Sequence, residues 1–269
     1  MHGAGNDYVY IDCFDEPVPN NVEELARQLS NRHFGIGADG LVLILPSDQA
    51  EAEMRMFNAD GSEAEMCGNA LRCVAWFLRD RGYCTHDRPL ITTGRGLLGA
   101  EILERRSAGG SVRINMGEPS FKLEPTTSTI MPATKTPLVV NGETHEYTFV
   151  SMGNPHCVLF VDSVENAPVT SLGPRIEVHS DFPERTNVPF AEIVARSHIR
   201  LRVWERGTGE TMACGTGACG AVVAAILNDL TDRTVAVTLP GGELQIEWQE
   251  DGPVRMVGPV AEVFRGELT

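Results

Sequence analysis

Twice in this chain a cysteine followed by glycine stands at the mouth of an apolar helical run. In MCGNALRC, Met66–Cys73, Cys67-Gly68-Asn69 leads into Leu71, Val74, Ala75 and Trp76, and in ACGTGACG, Ala213–Gly220, Cys214-Gly215-Thr216 leads into Ala218, Ala221, Val222 and Val223. The first N–H groups of a helix lack intrahelical partners, and the dipole places roughly half a positive charge there, so anions are stabilised. A thiol in that place is expected to ionise more readily than an ordinary cysteine. Glycine directly behind it lets backbone N–H groups come close to a bound anion. A substrate carboxylate held between two such entrances would leave its neighbouring carbon between two thiols. The chemistry implied is proton removal by one thiolate and proton return by the opposite thiol.

The elements that must position these cysteines are themselves repeated. FNADGSEAEMCGNA (57–70) aligns with WERGTGETMACGTG (204–217) so that Phe57 falls on Trp204, Glu63 on Glu210 and Cys67 on Cys214, an offset of 214 − 67 = 147. GNDYVYID (5–12) echoes GNPHCVLFVD (153–162), with Asn6 on Asn154. Two echoes in the same order at nearly one offset point to duplication of a domain of roughly 130 residues. Periodicity predicts helices at about Val22–Ser30, Asn69–Arg81 and Thr216–Asp229. It predicts strands over Tyr8–Cys13, Leu41–Leu45, Met54–Phe57, Val112–Met116, His145–Val150, Cys157–Val161, Pro189–Val194, Arg200–Trp204, Thr234–Leu239 and Glu243–Trp248, with PGGEL (240–244) as a tight hairpin. The helices behind the two cysteines are so apolar that each is expected in the middle of a curved sheet. The Pro- and Thr-rich stretch between Pro119 and Pro137 marks the expected boundary, giving an N-terminal half of 1–125, joined by the end of the chain at about 255–269, and a C-terminal half of 126–254.

Composition narrows the function. The 269 residues are 42% hydrophobic and 22% charged, with 22 Lys and Arg against 37 Asp and Glu, a formal charge of −15. No basic run exceeds Arg105–Arg106, which argues against a nucleic-acid partner. No apolar run approaches a membrane span, and MHGAGNDY does not read as a secretory signal, so a cytoplasmic location is expected. Seven cysteines without a CxxC pair support neither a disulfide framework nor a common zinc site. Cys13, Cys73, Cys84, Cys157 and Cys219 read as small buried hydrophobes.

The ordered series MHGAGNDYVYID, RHFGIGADG, FNADGSEAEMCGNALRC, SMGNPHCV, ERTNVPFAEIV and WERGTGETMACGTGAC, spread over almost the whole chain, resembles the motifs of the diaminopimelate epimerases. The resemblance implies an α/β (α+β) fold of two pseudo-symmetric domains, each a curved, mostly antiparallel sheet wrapped around a central apolar helix, with the active site in the interdomain cleft. It implies epimerisation of LL- and meso-2,6-diaminopimelate without a cofactor or a metal, in the lysine and peptidoglycan precursor pathway. The catalytic pair falls on Cys67 and Cys214. Gly68, Asn69, Gly215 and Thr216 fall among the groups that hold the carboxylate at the reacting centre. Asn6, Asn58, Asn154 and Asn187 match the family's asparagines, and Glu205 and Arg206 its Glu-Arg pair. Chemically, Arg206 suits a distal carboxylate and Glu205 a distal ammonium, while His156 takes a supporting place near the reacting centre. The expected partners are a small-molecule substrate and a second copy of the chain in a homodimer. Two other readings stay open on the residues alone: another amino-acid racemase, such as one like proline racemase, and a thiol-based redox or binding protein.

Overall fold

The computed structural model describes residues 1–122, 133–250 and 252–268. The chain divides into two compact units, Met1–Asn115 with Val257–Thr269, and Met116–Met256. The boundary expected at 125/126 lies outside the described residues.

In the N-terminal unit, strand Val9–Asp12 pairs in parallel with Gly40–Leu45, which pairs antiparallel with Ala52–Asn58. Along its other edge Ala52–Asn58 takes the short strand Glu63–Ala64 antiparallel at Met56 and Phe57 and Leu90–Thr93 in parallel at Ala52 and Glu53. Leu90–Thr93, Gly96–Arg106 and Gly109–Asn115 continue as an antiparallel meander. Helix α1, Val22–Ser30, buries Ala26 and Leu29 against Leu41, Leu43 and Phe57. Helix α2, Gly68–Arg81, is buried continuously from Gly68 to Leu78 and touches four strands, Gly109–Asn115, His2–Gly3, Gly96–Arg106 and Ala52–Asn58. A helix buried on every side is a core element, and each of its large apolar side chains contributes on the order of 1.5–3 kcal/mol. Trp76, 1% exposed, also donates its indole N–H to the Gly109 carbonyl at 2.9 Å.

The C-terminal unit repeats the plan. Pro155–Phe160 runs parallel to Val188–Ala195, which pairs antiparallel with His198–Glu205. His198–Glu205 takes Gly209–Glu210 antiparallel and Thr234–Leu239 in parallel, and Thr234–Leu239 turns through Pro240-Gly241 into Gly242–Trp248. Helix α3, Val169–Glu177, packs Val169 and Ile176 into the core with Val188 and Phe190. Helix α4, Gly215–Leu227, is buried from Gly217 to Ala225 and touches five strands.

The offset of 147 reaches into register and ion pairing. Helices α1 and α3 are both nine residues long and start 169 − 22 = 147 apart. Phe57 is opposite Glu63 and Trp204 opposite Glu210. Arg55 bonds Glu63 at 2.7 Å, and its counterpart Arg202 bonds Glu210 at 2.6 Å.

Four strands beyond the short bridging pairs, Leu90–Thr93, Gly96–Arg106, Thr136–Val140 and Val254–Ala261, and helix α3 were not apparent from the sequence. The reasons are local. Most of Gly96–Arg106 faces solvent, so its apolar residues do not alternate. Gly173-Pro174 inside α3 reads as a breaker, but Gly173 lies so close to Trp204 that a Cβ there would meet the ring's Cγ at 2.7 Å. Tight seating on the strand outweighs the weak local propensity.

Candidate active site

Both cysteines are the N-cap residues of the buried helices, Cys67 of α2 and Cys214 of α4, and both have extended backbone there. Helix α1 carries Glu23 and Glu24 in its first turn, whereas α2 and α4 carry no acidic residue in theirs. The positive ends of the two core helices are therefore not neutralised by their own side chains.

Around Cys67 the partners are amides. The Cys67 thiol donates to Asn6 Oδ1 at 3.4 Å, and Asn69 Nδ2 donates to the same oxygen at 3.2 Å. Asn6 Nδ2 donates to Asp39 Oδ2 at 2.7 Å. Asn69 Oδ1 accepts from the buried Arg72 at 2.8 Å. Asp39 is held by Arg32 at 2.9 Å, and Arg32 also bonds Asp7 through two nitrogens.

Around Cys214 the partners are mostly donors. The Gly217 N–H donates to the sulfur at 3.3 Å, and the Thr216 hydroxyl lies 3.7 Å from it. Asn154 Nδ2 donates to Thr216 Oγ1 at 3.2 Å, and Asn154 Oδ1 lies 3.1 Å from His156 Nε2. Because a carbonyl oxygen only accepts, that His156 nitrogen carries the proton. His156 is buried, its Nδ1 has no hydrogen-bond partner among the described residues, and burial, with Arg206 nearby, lowers its pKa to about 3. It is a neutral imidazole.

Glu205 hydrogen-bonds Cys214 and accepts from Thr211. Its carboxylate thus lies between Thr211 and the thiol. Burial and the Glu205 carboxylate push the Cys214 thiol well up, against the opposite pull of Thr216 and Gly217. This corrects the expectation of an easily ionised thiol at this entrance, because desolvation outweighs the helix N-terminus. Cys214 rests protonated, with the Gly217 N–H and the Thr216 hydroxyl beside its sulfur. Cys13, Cys73 and Cys157 are buried thiols also pushed up by desolvation, and Cys84 and Cys219 are buried as well.

The family model described as diaminopimelate epimerase matches residues 1–122 and 148–263. A diaminopimelate epimerase of Moorella thermoacetica is 49% identical over 271 residues, covering 100% of this chain and 97% of that protein. One of Pelotomaculum thermopropionicum is 50% identical over 269 residues, covering 99% and 96%. The chain belongs to the diaminopimelate epimerase family. It is accordingly an isomerase, acting on a small molecule in lysine biosynthesis. Its fold is shared more widely. A Bacillus anthracis phenazine biosynthesis protein of the PhzF family superposes with a TM-score of 0.70 at 16% identity over 97% of this chain and 95% of that one. A hydroxyproline epimerase from Agrobacterium vitis superposes with a TM-score of 0.66 at 16% identity, over 97% and 89%.

Within this epimerase-family chain, the structure gathers Asn6, Cys67 and Asn69 into one cluster and Asn154, His156, Glu205, Cys214 and Thr216 into another, with Gly68 and Gly215 opening the two helices. Asn187 is a strut, donating to the Pro155 carbonyl at 2.9 Å and accepting from the Arg206 N–H at 3.0 Å. Arg206 Nη1 is anchored on the Glu184 carbonyl at 3.0 Å. Asn58 ends its strand opposite Gly40, and its amide bonds Ser62 rather than the thiol cluster. The sequence reading missed Asp39, Arg32, Arg72 and Thr211. Two of these, Arg32 and Asp39, flank the glycines of RHFGIGADG, where an opposite-charge pair in a glycine-rich turn was the available signal. Glu51, Cys84 and His86 form a metal-ligand-type group with atoms within 4.8 Å of one another. These atoms hydrogen-bond one another and the Leu90 and Arg88 N–H groups, tying down the loop after α2. No helix among the described residues is long and apolar enough to cross a membrane.

Proposed function

We propose that the chain interconverts LL- and meso-2,6-diaminopimelate by two-base proton exchange, with Cys67 and Cys214 as the base and acid on opposite faces of one α-carbon. The observation that carries this reading is the matched pair of N-cap cysteines, each opening a buried helix with no acid in its first turn, in a member of this family. The α-carboxylate sits at the uncompensated helix ends, with Gly68, Asn69, Gly215 and Thr216 around it. Concentrating donors on that carboxylate favours the charge that develops there as the α-proton leaves.

For one stereoisomer a thiolate takes the α-proton and the opposite thiol supplies one to the other face. For the second stereoisomer the roles reverse. When Cys214 is the base, Glu205 is the acceptor at hand for its proton, and the Gly217 N–H and Thr216 hydroxyl stabilise the sulfur anion. Arg206 clamps the distal carboxylate with its planar fork. Asn58, Asn154 and Asn187 contribute to binding or shaping the pocket, and His156 holds Asn154 in orientation. The reaction so written uses only the chain's own residues. The working form is a cytoplasmic homodimer whose subunits are each built from two epimerase halves.

The test is solvent-deuterium incorporation with no cofactor added. Incubation in deuterated buffer should place deuterium at the α-carbons of both LL- and meso-diaminopimelate, with interconversion of the two, and none in proline. Exchange into proline instead would make the chain a different racemase. Absence of exchange with all thiols reduced would favour a redox or binding protein.

A further inference from the structure

Two amides stand in series behind Cys67, and an ion closes each end. Arg72 donates to Asn69 Oδ1 at 2.8 Å, Asn69 Nδ2 donates to Asn6 Oδ1 at 3.2 Å, and Asn6 Nδ2 donates to Asp39 Oδ2 at 2.7 Å. An arginine only donates and a carboxylate only accepts, so every bond in the chain has one permitted direction. Neither amide can turn over without setting donor against donor or acceptor against acceptor. Asp39 is itself pinned, accepting from Arg32 at 2.9 Å through its other oxygen and from the Asp7 N–H at 3.3 Å.

We propose that Asp39 is a positioning residue for the reaction: it holds the Asn6 amide so that the carbonyl oxygen, and never the NH2 group, faces the Cys67 thiol. With that oxygen 3.4 Å from the sulfur, Cys67 rests as a donor, its proton directed at Asn6. A carbonyl oxygen beside a thiolate is unfavourable, whereas an amide N–H beside it is favourable, so the orientation of one amide biases the protonation of the sulfur. The C-terminal half carries the opposite polarity. There His156 donates to Asn154 Oδ1, and Asn154 presents its NH2 to Thr216, whose hydroxyl proton is thereby left for Cys214. Similar asparagines at repeated positions thus present opposite ends, an oxygen to Cys67 and an NH2 to Thr216, while the acceptor beside the Cys214 thiol is Glu205. Titratable groups near Cys67 among the described residues include Tyr10, half-buried with its hydroxyl buried, and the buried Cys73, both raised and neutral, and Arg72 is fully buried. Asp39, with its side chain 41% exposed, is the accessible end of the relay.

This inference rests on Cys67 being one of the two reacting thiols, and its test reads the sulfur directly, so it can fail separately from the proposed reaction. The full chain is treated with iodoacetamide at pH 7, and modification at Cys67 and at Cys214 is followed by peptide mass spectrometry. In Asp39→Ala the Asn6 amide keeps only the Asn69 Nδ2 bond, so the orientation with its NH2 towards the sulfur gains population, and modification of Cys67 should accelerate by about tenfold while that of Cys214 is unchanged. Asp39→Asn keeps an oxygen that accepts from Asn6 and should stay near the parent rate. The proposal is overturned if Asp39→Ala leaves the Cys67 rate unchanged. It is also overturned if alanine and asparagine accelerate it equally, since the ionic pairing with Arg32 rather than the amide's direction would then matter. Asp39→Leu, closer in volume, carries the same expectation where the alanine variant does not fold.

Discussion

His156 shows how far one side chain can be moved from its ordinary chemistry. Burial holds its imidazole neutral with a pKa of about 3, and its Nε2–H serves only to orient Asn154. An unfolded histidine titrates near 6.5, so between those values the unfolded chain binds a proton that the folded chain does not. Stability is therefore lost as the pH falls below about 6.5 towards 3. At pH 5 the loss through this residue is about 2 kcal/mol. Thermal unfolding of His156→Gln should show a smaller drop in Tm between pH 7 and pH 5 than the parent. An equal drop would mean that other groups control the acid response. At this scale the sequence was informative where residue type decides chemistry and silent where burial does. The two thiols, the asparagines and His156 were visible in it, whereas the upward push on Cys214 depends on Glu205 and on desolvation.

At the level of elements, the two helix entrances place the cysteines, and at α4 a glycine sets how closely backbone comes to the sulfur. A Cβ on Gly217 would stand 3.0 Å from Cys214 Sγ and 3.2 Å from Val203 Cγ2, so Gly217→Ala should displace the sulfur from its N–H donor. A misplacement of about 1 Å costs about 10²-fold in rate, so the smaller shift forced here is expected to lower kcat by about tenfold. Steady-state kinetics with an unchanged circular dichroism spectrum checks this, and an undiminished kcat would show that the close N–H contact is dispensable. Gly173→Ala acts elsewhere, driving a methyl group into Trp204 and unseating α3, with an expected loss of about 1–3 kcal/mol in the urea midpoint analysis. Neutral stability would show that α3 shifts freely on its strand. Helix α1 was legible because its apolar residues recur on one face, and both cysteine helices because their apolar runs are long. Helix α3 was hidden by Gly173-Pro174, although the offset of 147 from α1 pointed to it.

For the molecule as a whole, the internal repeat is the observation on which the rest is built. The repeat seen in the two cysteine motifs extends to the register of Phe57 with Glu63 and of Trp204 with Glu210, and to the pairs Arg55–Glu63 and Arg202–Glu210. Two similar units supply two helix entrances whose sulfurs have unlike neighbours, an amide oxygen at Cys67 and, at Cys214, N–H and hydroxyl donors together with the Glu205 carboxylate. That asymmetry was not legible in the sequence, because it depends on which way each amide points, and that is set by contacts with Asp39, Arg72 and His156 that only the fold makes. The central claim is that both thiols are required, one on each face of the substrate carbon. The most direct measurement is the rate of interconversion of LL- and meso-diaminopimelate by Cys67→Ala and by Cys214→Ala, each purified, folded and reduced. The account predicts that both variants lose epimerisation, since either one lacks the base or the acid that every turnover needs. Turnover near the parent rate in either variant would contradict it.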